Sequence, residues 1–99
     1  MKIVILPSAR DDLAKGIAFY EDREAGVGDY FLESLFSDID SLRLYAGTHR
    51  HVFGYHRLLS KRFPYAIYYS MEGDTVYVWA VVDCRQDPKN VSQKLKSLR

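Results

Sequence analysis

The feature that most limits how this chain can fold is a change of period near its middle. Up to about residue 45 the apolar residues recur every three or four positions. From residue 55 to 84 they alternate, or run in short β-branched and aromatic blocks. A sequence that makes this switch is expected to be an α+β domain, with a helical hairpin packed on a small, mostly antiparallel sheet. At 99 residues, a single domain spanning 1–99 with one modest core is expected.

In the first half, Lys2 to Leu6 is β-branched and apolar and is stopped by Pro7, which reads as a short strand. Pro7 suits a first helical turn, Ser8 is expected to cap it, and Asp11 and Asp12 lie near the positive end of the helix dipole. Ala9, Leu13, Ile17 and Tyr20 make one apolar face, and the glycines of "EAGVGD" end the helix near Glu24. A second helix is expected from Asp29 to about Tyr45. Its apolar stripe is Phe31, Leu32, Leu35, Phe36, Ile39 and Leu42, with Glu33, Asp38 and Asp40 on the outer side. The short glycine-bearing loop between the two helices makes them an antiparallel αα-hairpin.

In the second half, "YHRLLSK" (55–61), "YAIYYSM" (65–71) and "TVYVWAVVDC" (75–84) read as three strands in a meander, the last two joined by a tight turn at Glu72-Gly73-Asp74. Strict alternation in the last strand places Val76, Val78, Ala80 and Val82 on one face, expected to meet the hairpin. Tyr77, Trp79, Val81 and Asp83 fall on the other, more open face, with Arg85 at its end. Asp87-Pro88 reads as the turn that ends the sheet, and "KNVSQKLKSL" (89–98) as a last short helix with Val91, Leu95 and Leu98 on one side. The order is βααβββ(α).

Charge adds a second asymmetry. The formal net charge is only +1, yet residues 1–40 hold nine acids and four bases, and Ser41 to Met71 holds no acid at all. That acid-free stretch carries Arg43, Arg50, Arg57, Lys61 and Arg62 together with His49, His51 and His56. A positive face suited to nucleic acid or an acidic peptide is expected. With Trp79 and the sheet tyrosines beside them, Arg57, Lys61, Arg62 and Arg85 would present a cationic, aromatic-rimmed surface.

Other function classes are excluded or disfavoured. The apolar run in "MKIVILP" is too short for a signal peptide and nothing later approaches a membrane span. Cys84 is the only cysteine, so no internal disulfide forms and a reducing, cytoplasmic setting without a membrane partner is expected. Cys84 itself is expected to pack as a small hydrophobe on the aliphatic face. There is no phosphate-binding glycine loop, no zinc spacing and no nucleophile elbow. His49 and His51 flank Arg50 with no cysteine or carboxylate nearby, so neither a metal nor a cofactor is expected.

Taken together, "LPSARDDLAKGIAFYED", "GVGDYFLESLFSDIDSL" and "GYHRLLSKRFPYAIYYSMEGDTVYVWAVVDCRQDP" resemble the ParE/RelE superfamily of toxins from type II toxin–antitoxin, or plasmid stabilisation, systems. The most specific matches are Arg57 in the second strand of the family pattern, "RFPY-x-IYY" from Arg62 to Tyr69, and "R-x-DP" at Arg85, Asp87 and Pro88. The resemblance implies a cytoplasmic toxin held inactive by a cognate antitoxin, whose tail would exploit Arg43, Arg50, Arg57, Lys61, Arg62 and Arg85.

The superfamily has two activities, inhibition of DNA gyrase by ParE-like members and ribosome-dependent mRNA cleavage by RelE-like members. Many relatives carry a histidine where Asp83 stands here, and no tyrosine, histidine or tryptophan follows Pro88. An RNase needs a group that exchanges protons near neutral pH, and an ordinary aspartate, with a pKa of roughly 4, is too weak a base. The ParE-like, gyrase-inhibiting reading is therefore favoured. The alternatives are a RelE-like endoribonuclease using Arg57, Arg62, Arg85 and His56 on ribosome-bound mRNA, and a non-toxic remnant that still binds an antitoxin.

Overall fold

The structure is a computed structural model that describes residues 1–99. Its elements are β1 (Lys2–Ile5), α1 (Pro7–Arg23), α2 (Val27–Asp40), the single turn α3 (Leu42–Tyr45), β2 (His51–Val52), β3 (Tyr55–Leu59), β4 (Tyr65–Glu72), β5 (Thr75–Asp83) and α4 (Pro88–Ser97). The five strands form one sheet in the order β1-β5-β4-β3-β2. All pairs are antiparallel except β1 with β5, whose register runs from Lys2 opposite Thr75 to Ile5 opposite Val78. The expected α+β architecture is present. The two-residue β2 was not expected, because two residues carry no readable period.

The α1–α2 hairpin covers one face of the sheet. Its core joins Ala9, Leu13, Phe31, Leu35, Ile39 and Leu42 to Tyr65, Ile67, Tyr69, Val76, Val78 and Val81. The helices approach closely because of two glycines. A Cβ on Gly16 would lie 2.5 Å from the Phe31 ring, and one on Gly28 would lie 2.8 Å from the Ile17 carbonyl oxygen. The loop between the helices is tied by Glu21, whose carboxylate accepts the backbone N–H groups of Gly26 and Gly28 at 2.9–3.1 Å. This satisfies donors at the start of α2 that have no helical acceptor, and it lets the helix begin at Val27 rather than Asp29.

On the other face lies a smaller core of Tyr55, Ala66, Tyr68, Ala80 and Val82 beneath Val91 and Leu95 of α4. The expected Asp87 turn is there: its carboxylate caps α4 by accepting the Lys89 N–H at 2.9 Å. Tyr55 donates its hydroxyl to the Leu95 carbonyl at 2.7 Å, pinning the end of the helix.

Strict alternation along β5 does not hold. The pairing with β4 jumps from Tyr69 opposite Val78 to Tyr68 opposite Ala80, leaving Trp79 as an extra, unpaired residue. This is a β-bulge, and it moves every later side chain to the opposite face. Val76 and Val78 meet the hairpin before it, Val81 after it, while Ala80 and Val82 turn to α4. Trp79 is held by its indole N–H, which donates to Ser70 Oγ at 2.8 Å. Its carbonyl accepts the Ser8 hydroxyl at 2.6 Å. Ser8 therefore braces the bulge instead of capping α1, whose N-cap is Leu6 without a side-chain bond.

Three further expectations, for Asp38, Phe36 and Cys84, are corrected, and the burial of Asp12 is an addition to them. Asp38 is buried, because its place in the 31-34-35-38-42 spacing turns it inward, where it accepts the Ser60 hydroxyl at 2.7 Å. Phe36 is exposed, lying on the helix side shared with Glu33 and Asp40. Asp12 is buried; one carboxylate oxygen accepts the Val81 N–H at 2.9 Å and the other meets the Lys94 ammonium of α4. Cys84 is exposed, because the strand ends at Asp83 and the thiol lies beyond the sheet.

A candidate cationic interface on the thinly covered face

Alternation along β3 divides the basic segment between the two faces of the sheet. Arg57 stands opposite Tyr68 on the α4 side, while His56 stacks on Tyr69 on the hairpin side, with ring centroids 5.0 Å apart. Arg57 and Tyr68 line a groove of about 290 Å³ between the sheet and the start of α4, together with Phe53, Cys84, Gln86 and Pro88. The structure thus brings together Arg57, Tyr68 and the "DCRQDP" segment, and it leaves His56 outside.

The titrating groups of this groove all lie away from neutrality. Burial raises the Tyr68 hydroxyl, with the Arg57 guanidinium beside it acting in the opposite sense. The Cys84 thiol is also raised, chiefly by loss of hydration, so it is not poised as a thiolate. Asp83 is held below its ordinary value first by the Arg85 side chain. The Arg85 Nε and Nη2 donate to the two Asp83 carboxylate oxygens at 2.9 and 2.7 Å, and the Arg85 backbone N–H adds a third bond at 2.8 Å. Asp83 is a tethered anion, and Arg85 is neutralised where it stands.

The remaining cations differ in availability. Arg43 pairs with Asp40 at 2.8 Å and donates to the Met1 carbonyl at 3.0 Å, on the far side of the molecule. Arg50, Arg57, Lys61 and Arg62 have no carboxylate within ion-pair distance. Lys61 and Arg62 are exposed in the β3–β4 connection, at the same end of the sheet as Arg85, and Arg50 is exposed just before β2. Four unpaired bases therefore lie along β3 and its two ends, while others, such as Lys15 on α1 and Lys89 and Lys96 on α4, lie elsewhere. Tyr68 was missed by sequence reasoning, although the alternation of "YAIYYSM" combined with the register against Arg57 would have found it. Asp12 and Lys94 carry no local signal, being 82 residues apart.

A second surface lies between β1 and α2. Ile3, Ile5, Phe36 and Ile39 line an open groove of about 530 Å³ whose rim carries Glu33, Asp40 and Arg43. β1 is the edge strand of the sheet, so its outer N–H and C=O groups are unpaired. No helix is long and apolar enough to cross a membrane, and no group of three or more metal-ligating side chains converges anywhere in the chain.

Residues 3–88 match the family model described as the ParE toxin of the type II toxin–antitoxin system, parDE. Among solved structures, a chain of the chromosomal ParDE TA system from P. aeruginosa matches with a TM-score of 0.75 at 15% identity, covering 84% of this chain and 95% of that one. At that identity the likeness concerns the fold. No curated protein matches the chain.

Proposed function

The chain belongs to the ParE toxin family of type II toxin–antitoxin systems, and from that premise we propose that it acts by binding DNA gyrase, without cutting RNA. The observation that carries this choice is the division of β3: His56 and Arg57 point to opposite faces. In the Arg57 groove the thiol and phenol are raised and the carboxylate is lowered and tethered, so no group there is matched to proton transfer near neutral pH. What the groove offers is charge and shape. Arg57 lines the groove beside Tyr68 and Phe53, and Lys61 and Arg62 add exposed positive charge in the β3–β4 connection, an arrangement suited to an acidic, partly apolar protein surface.

A cognate antitoxin is the natural second partner. An acidic, amphipathic segment that folds on binding could lay apolar side chains into the β1–α2 groove and place carboxylates against the free arginines. The exposed Phe36 and the unpaired edge of β1 support that placement. Reading the partner-binding set Arg50, Arg57, Lys61 and Arg62 as one interface gives the test. Purified protein should inhibit gyrase supercoiling, and Arg57→Ala should weaken inhibition while the fold stays intact. Undisturbed supercoiling, together with cuts in translated messages by primer extension, would replace this reading with the endoribonuclease one. Growth arrest on induction, relieved by the antitoxin, would exclude a non-toxic remnant.

A further inference from the structure

We propose that His51 and His56 form a two-histidine chelate for a borderline divalent transition-metal ion, zinc above all, at the corner where β2 meets β3. The two residues are directly opposed across the antiparallel β2–β3 pair. Their Nε2 atoms are 3.1 Å apart while their ring centroids are 4.0 Å apart, so the rings tilt these nitrogens toward each other. Two nitrogens bound at about 2.0–2.1 Å from one zinc stand roughly 3.3 Å apart at the tetrahedral angle and roughly 2.9 Å apart at a right angle. The observed separation lies between those values. With the centroids only 4.0 Å apart the two lone pairs do not converge at that distance as the rings stand, so the exposed His51 ring turns about its side-chain bonds to bring both onto one ion.

The surroundings prepare one of the two ligands. His56 Nδ1 is 2.9 Å from the His49 carbonyl oxygen, which can only accept, so Nδ1 carries the proton and the Nε2 lone pair points outward. A backbone carbonyl on the non-ligating nitrogen is the support that orients metal-binding histidines. The stack on Tyr69 fixes the same ring from behind, and Tyr69 is held in turn by the Gly47 N–H at 2.9 Å and by His49. His51 is exposed. In the metal-free pair its Nε2–H donates to His56. Moving that proton through solvent to its own Nδ1 frees the second lone pair with no net proton release. Water would fill the remaining positions, since no third histidine, cysteine or carboxylate converges there.

Such a chelate would brace a weak point. β2 has only two residues and is joined to β3 by Phe53 and Gly54, with φ of 55° and 84°. A metal bound across the pair would close a ring over this marginal edge, and it would occupy His56 Nε2.

The test is zinc chloride titration in a non-coordinating buffer, by calorimetry and thermal unfolding. It should be done in a Cys84→Ser background, because the exposed thiol is itself a zinc ligand. One ion per chain is expected, with a Tm rise of roughly 5–10 °C at free zinc ten times the dissociation constant. His51→Ala, at an exposed site that leaves the fold unchanged, should remove both signals, whereas His49→Gln should keep them because its carbonyl remains. Binding equal in the parent and in His51→Ala would overturn the proposal. So would the absence of heat and of any Tm shift up to millimolar zinc.

Discussion

The sheet of this protein is covered very differently on its two sides. On the hairpin side, Tyr20, Phe31, Phe63 and Tyr65 pack ring against ring, with several centroid separations of 4.8–5.1 Å, above a layer of buried valines and leucines. On the α4 side, only Val91 and Leu95 of the helix are buried, and the helix is held by a hydroxyl–carbonyl bond from Tyr55 and the Asp12–Lys94 ion pair. The thin side is also where Arg57, Tyr68 and Cys84 line an open groove. Interdigitated aromatic layers resist displacement, whereas a single helix tied at two points leaves room for a partner. On the proposed reading, stability and gyrase recognition fall on opposite faces of one sheet.

The largest effects should come from deleting one leucine on each side. Leu35 and Leu95 are both fully buried, at 0% exposure. Leu35→Ala should cost about 4–5 kcal/mol in denaturant unfolding, because the close-packed helices cannot close over the cavity. Leu95→Ala should cost about 2–3 kcal/mol, since α4 can settle toward the sheet. Equal losses would erase the distinction between the faces.

A titration sharpens the same comparison. The Tyr65 hydroxyl is pushed up to about 12, mainly by burial and then by the neighbouring Tyr20 and Asp83. The unfolded chain releases this proton first, so stability is constant below pH 10 and falls as pH rises from 10 towards 12. The fall amounts to about 2–3 kcal/mol. Tyr65→Phe should flatten this alkaline arm. Tyr68→Phe, on the α4 face, should flatten it less, because Arg57 opposes the effect of burial there. A smaller slope is expected on the acid side. His49 is held below its ordinary 6.5 by burial and then by the charge of His56. Here the unfolded state takes up the proton first, so stability falls as pH drops below 6.5. His49→Gln should reduce that slope between pH 5 and 7; an unchanged slope would place the proton uptake elsewhere.

Periodicity revealed the helices, the meander, the 72–74 turn and the Asp87 start of α4, because each is specified by residues close in sequence. The pairing of β1 with β5 was hidden, since it joins residues more than 70 positions apart. The bulge at Trp79 was hidden for a different reason. It depends on Ser8 and Ser70 holding an extra residue, and nothing in "TVYVWAVVDC" itself breaks the alternation. That single residue changed the faces assigned to Ala80, Val81 and Val82. Of the candidate site, Arg57 and Arg85 were legible from the family pattern. The tether that neutralises Arg85, and the separation of His56 from Arg57, needed the register.

The smallest change in stability should be the most informative about function. Arg57 is half-buried, forms no ion pair, and lies on the side of the sheet where packing is thinnest. Its removal opens no enclosed core, so Arg57→Ala should change unfolding free energy by no more than about 0.5–1 kcal/mol. On the proposed reading, its charge and its place opposite Tyr68 are what the groove presents to a partner. The same substitution should therefore weaken gyrase inhibition about tenfold or more, with the loss concentrated in dissociation rate. Arg43→Ala supplies the contrast, because Arg43 already pairs with Asp40 on the far side of the molecule and should leave inhibition unchanged. Were Arg57→Ala to lower stability by 2 kcal/mol with inhibition scaling in step, Arg57 would belong to the scaffold. The division of labour between the two faces would then fail at the residue where it matters most.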